Sequence, residues 1–132
     1  MAKDDDKKKK DEDKIRRANI LSKIRTLEAE KAKLESQKAK YDALLTKAGS
    51  VVSELTRINN LMLIMNESLK SNFSLNGKTA DSNKVMESSN LVSEAVTSFN
   101  SQIIPEINKS ISKLTSQIQS KDAEIQSYYA ML

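Results

Sequence analysis

From Ile15 to about Lys70 an apolar residue returns at every seventh position: Leu27, Leu34, Tyr41, Ala48, Leu55, Met62 and Leu69. Leu44, Val51, Ile58 and Met65 follow three residues after four of these, while Glu30 and Gln37 thin the same companion column toward the N-terminus. Two columns at that spacing share one face of an α-helix and make an a/d seam. The pattern therefore predicts one long, coiled-coil-like helix over residues 15–70, roughly 80 Å long at about 1.5 Å per residue. Gly49 followed by Ser50 is its internal weak point and marks an expected bend.

The pattern breaks over residues 71–80, the stretch that holds Leu75, Asn76 and Gly77. Gly77 can take the left-handed conformation that ends a helix, and Thr79 or Asp81 can cap the next one, so a turn is expected here. From Asp81 the apolar residues resume at Val85, Val92, Val96, Phe99, Ile103, Ile107, Ile111, Leu114, Ile118, Ile125 and Leu132, which predicts a second helix over 81–132. Pro105 lies within it, where a missing donor and a ring clash predict a kink rather than a stop. Two long helices joined by a short loop make an all-α fold, an elongated antiparallel two-helix hairpin. With the tip near Leu75, facing positions have numbers adding to roughly 150, which sets Ile125, Tyr128 and Leu132 beside Ile20, Leu21 and Ile24.

Composition narrows the chemistry. Of 132 residues only two are Gly and one is Pro, and there is no Cys and no His. Thiolate chemistry, a His general base, Cys/His zinc sites and Gly-rich phosphate loops are thereby excluded. No catalytic constellation stands out: Glu28, Glu30 and Glu35 sit among lysines at helix-pair spacing, and the tyrosines fit packing positions. The expectation is a protein that is not an enzyme, with no cofactor and no metal.

The net charge of +4 is local in origin. Residues 15–40 carry eight Lys/Arg against three Glu, whereas the first fourteen residues balance six of each sign. Without aromatic stacking residues the basic stretch reads as a solvated helix surface, and no nucleic-acid partner is expected. Residues 1–14 have no apolar residue after Ala2 and are expected to form a disordered charged tail, leaving 15–132 as a single helical domain. No signal-peptide core and no run of transmembrane length is visible, so stable membrane insertion is not expected.

Leu61-Met62-Leu63-Ile64-Met65 is the anomaly. At about 100° per residue five consecutive apolar side chains encircle a helix, and one partner helix cannot cover them. The facing stretch Glu87-Ser88-Ser89-Asn90 is polar. Leu61, Leu63, Ile64 and Met65 are therefore the candidate partner interface, covered either by a different chain or by a second copy in a homodimer.

The long Lys/Leu-rich heptad helix, the Leu75-Asn76-Gly77 turn motif followed by Lys78, and the Ile-x-x-Leu-x-x-x-Ile spacing within Ile107 to Leu132 together resemble a family. These are the YwqH-like small helical hairpins, WXG/Esx-like proteins of Gram-positive type VII secretion encoded beside LXG-domain toxins. Leu75 stands where that family commonly has Trp, and the C-terminal Tyr128-Tyr129-Ala130-Met131-Leu132 lacks the acidic export signal of some relatives. The resemblance implies a targeting or chaperone-like protein that binds the helical LXG domain of a toxin, or another small helical secretion partner, and helps its export. It further implies a cytoplasmic location before export and a signal-peptide-independent route out with the partner. The alternative from the residues alone is a homo-oligomeric coiled-coil scaffold.

Overall fold

The computed structural model describes the backbone of residues 2–72 and 76–132, and the side chains of residues 3–70 and 82–132. It is helical, with no strand among the described residues: α1 (Ala2–Asn72), α2 (Asn76–Ser98), a π-turn (Phe99–Ile103) and α3 (Ile104–Ala130) follow in order.

The helices differ from the sequence reading at three places. First, α1 begins at Ala2, so the segment expected to be a disordered tail is helical, with Asp4 and Asp5 in the first turn where the helix dipole favours acids. Residues 3–19 are exposed throughout and touch no core. Arg16 pairs locally with Asp13 at 3.7 Å, and the Arg16 and Arg17 guanidinium groups donate to the Met131 and Leu132 carbonyls at 3.1 and 3.2 Å. Second, helical backbone occupies residues 71–72 and resumes at Asn76, so the expected 71–80 turn is largely helix, and Gly77 opens α2 instead of closing α1. Leu75 lies outside the described residues, as do the side chains of Asn76, Gly77, Thr79 and Asp81. Third, Gly49 and Ser50 lie within unbroken helix.

Pro105 does not stop the second arm. The π-turn lies immediately before it, and the Ile104 amide donates to the Phe99 carbonyl, five residues back. A proline ring clashes with the carbonyl four residues earlier, here Ser101, and widening one turn moves that carbonyl away. Thr97 and Ser101 hydroxyls donate to the Ser93 and Thr97 carbonyls at 2.9 and 2.6 Å just ahead of it.

The chain divides into two compact units, residues 1–40 with 111–132 and residues 41–110. In the first, Ile20, Ile24, Leu27 and Ile125 form a buried cluster with Tyr128 packed on it. Lys31 pairs with Asp122 at 2.9 Å, Lys121 with Glu30 at 2.7 Å, and the Tyr129 hydroxyl donates to Glu28 at 3.0 Å. From Glu28 with Tyr129 to Lys31 with Asp122 the numbers rise on one segment and fall on the other, so the segments run antiparallel, and each pair adds to roughly 150 as the register requires. Leu21 and Leu132 are exposed, against expectation. Leu21 is turned about 100° from Ile20, and Leu132 lies past the last helical residue.

In the second unit the same register holds by polar contacts. The Ser82 hydroxyl donates to Asn66 Oδ1, the Ser89 hydroxyl to Asn59 Oδ1, and Asn59 Nδ2 to Ser93 Oγ at 3.2 Å. Asn66, Ser82 and Ser89 are buried.

Candidate functional site

Along α1 the less exposed positions are Ile20, Ile24, Leu27, Lys31, Leu34, Lys38, Leu45, Ala48, Val52, Leu55, Asn59, Met62, Asn66 and Leu69. The sevenfold column of the sequence reading is here, except that Tyr41 stays 37% exposed. Its companion is not the expected one. The inward column is Ile24, Lys31, Lys38, Leu45, Val52, Asn59 and Asn66, on the other side of the sevenfold column. Leu44, Val51, Ile58 and Met65 are left 36–49% exposed. Helix geometry makes the two choices exclusive, because the columns lie about 100° apart on the cylinder.

In the second unit this leaves an apolar stripe on α1: Tyr41, Leu44, Val51, Ile58, Leu61 and Met65. Beside it runs an open groove floored by Leu44, Ala48 and Val51 of α1 and by Phe99, Ile103 and Ile107 of the second arm, with Lys47, Gln102 and Glu106 on the rims. The π-turn supplies Phe99 and Ile103 to this groove, and Ile103 is itself 40% exposed. Lys47 makes no ion pair among the described residues, whereas Glu54 holds Arg57 at 3.1 Å.

All four interface residues expected from the sequence are exposed: Leu61 at 52%, Leu63 at 38%, Ile64 at 61% and Met65 at 49%. They do not form one surface. Leu61 and Met65 continue the stripe, Ile64 borders it, and Leu63 lies some 160° from Met65, on nearly the opposite side of α1. Leu44, Val51, Ile58, Phe99 and Ile103 were not picked out as surface residues. The signal that could have found them is the pairing of Asn59 and Asn66 with Ser82, Ser89 and Ser93 across the two helices.

No family model, curated protein or solved structure matches the chain. Among the described residues no group of carboxylates is placed to hold a metal ion, and no helix is long and apolar enough to cross a membrane.

The ionisable groups that depart from their ordinary values belong to the first unit. A hydrogen bond to Asp122 holds Lys31 above the usual lysine value, with desolvation opposing it, and Glu30 does the same for Lys121. The hydrogen bond to Glu28, and then the charge of that carboxylate, raise Tyr129. All three contacts join the outgoing and returning segments.

Proposed function

We propose that this chain is a non-enzymatic helical partner protein, and that the α1 stripe with its groove receives a helix of another polypeptide. One observation carries this reading: α1 turns Asn59 and Asn66 inward and leaves Leu44, Val51, Ile58 and Met65 outward at heptad spacing. Exposed apolar contiguity of this size usually marks an interface. A second helix laid along such a stripe places its own a and d side chains between these residues.

The partner class follows from the resemblance of the heptad helix and the Ile107 to Leu132 run to the YwqH-like group. It is the helical LXG domain of a type VII-secreted toxin, with this chain acting in targeting or as a chaperone before and during export. Co-expression with an LXG domain encoded beside this chain is the test. A complex that survives purification, and that Val51→Asp or Ile58→Asp removes while helicity persists, supports the reading. Separate elution of the two wild-type chains at mild salt refutes it.

A further inference from the structure

We infer that, without its partner, the chain covers the stripe with a second copy of itself, the two α1 helices crossing antiparallel about a two-fold axis at Val51. This rests on the reading of the stripe as an association surface but not on any identity of the hetero-partner.

The sequence of the stripe is self-complementary about that point. Leu44 and Ile58 lie equal distances before and after Val51, so the axis sets each copy's Leu44 against the other's Ile58 and Val51 against Val51. Lys47 and Glu54 lie almost equally far from it, on the flank of the same face. An antiparallel pair therefore brings Lys47 of each copy to Glu54 of the other, twice, by symmetry. A parallel pair would carry the Lys47 and Glu54 flanks of the two copies to opposite sides of the seam and form neither ion pair, so the charges favour the antiparallel arrangement.

Both groups are available for this. Lys47 makes no ion pair among the described residues. Glu54 gives Oε2 to both Arg57 bonds, at 3.1 and 3.3 Å, and Oε1 takes neither. Glu106 shares the groove rim with Lys47 without pairing to it. The area is also of the right size: the exposed parts of Tyr41, Leu44, Val51, Ile58, Leu61 and Met65 amount to on the order of 500 Å² per copy, about the lower limit for a specific dimer once both sides are counted. A micromolar rather than nanomolar dimer is expected, weak enough for a longer helical partner to displace.

Sedimentation equilibrium of the full chain tests this, with circular dichroism on every variant to confirm helicity. Wild type forms a concentration-dependent dimer in the micromolar range. Lys47→Glu and Glu54→Lys each weaken it about tenfold by turning both symmetric pairs into like charges, and the double exchange restores it to within about threefold. Val51→Glu, which sets two carboxylates on the axis, abolishes it. A chain that is monomeric throughout the micromolar range overturns the inference, and so does a double exchange no tighter than the singles. A monomer that still captures an LXG domain removes self-pairing alone. A dimer that captures none removes the functional reading and leaves self-pairing intact.

Discussion

Replacing Asn66 by alanine measures what the inward polar column contributes. Asn66 and Ser82 are 5% and 3% exposed, and the Ser82 hydroxyl donates to Asn66 Oδ1. Asn66→Ala removes the acceptor and leaves a hydroxyl out of reach of bulk water, a loss of about 1–3 kcal/mol. Ser82→Ala leaves the amide oxygen in the same position and costs about as much. The double variant lacks both polar groups, so its loss should fall short of the sum of the singles by about 1 kcal/mol. Asn66→Leu with Ser82→Ala, an apolar pair at that place, should be neutral or stabilising. Urea titration followed by circular dichroism reads these differences. At a slope of about 1–3 kcal/mol per molar urea, the single variants should shift the midpoint by several tenths of a molar or more. Strict additivity, or an Asn66→Ala loss below about 0.3 kcal/mol, refutes the account in which buried pairing fixes the face that α1 turns inward.

Gly49→Ala should raise stability by about 0.5–1 kcal/mol, read as a higher thermal midpoint, because a Cβ there meets nothing within 4 Å and the residue is helical; a lower midpoint contradicts it. Tyr129 gains its proton affinity from Glu28 on folding, so the contact is fully present below pH about 10, the unfolded value, and is lost as pH rises through the raised folded value. Tyr129→Phe should remove the highest-pH part of the tyrosinate absorbance titration, and an unchanged curve refutes the contact. Pro105→Ala restores an amide able to bond the Ser101 carbonyl, so the π-turn should tighten to α-helix, and amide exchange at residues 99–105 should slow.

How much of this was legible in sequence differs between the two units. In the first, the companion column on the expected side is Glu30 and Gln37, too polar to compete, so Ile20, Ile24 and Leu27 had one plausible counterpart in the returning segment, and Ile125 and Tyr128 are found there. In the second, the sevenfold column carries two companions, one apolar (Leu44, Val51, Ile58, Met65) and one mixed (Leu45, Val52, Asn59, Asn66). Hydrophobic periodicity ranks the apolar companion first because it scores each helix alone. Burial is decided across the pair. The returning arm presents Ser82 and Ser89 inward, seven residues apart like Asn59 and Asn66, and an apolar wall would leave each hydroxyl without an acceptor at about 1–3 kcal/mol. The π-turn was hidden for a similar reason: Pro105 announces a disturbance, but its form depends on whether the carbonyl at Ser101 or the proline ring gives way.

The matched Asn and Ser columns also bear on why the outer column is apolar at all. A face that met only water would lose little stability with polar residues at 44, 51, 58 and 65, because helix formation needs only ordinary propensity there. Four apolar residues in unbroken heptad step, beside a groove shaped by the π-turn, instead raise the cost of leaving the chain alone. The inward column meanwhile accepts hydrogen bonds in place of hydrophobic burial. Together these choices shift apolar area from the chain's own folding to its association, so the same substitution should act differently on the two faces. A polar residue at Val51 should reduce binding with little change in the urea midpoint, whereas one at Val52, on the inward column, should lower the midpoint.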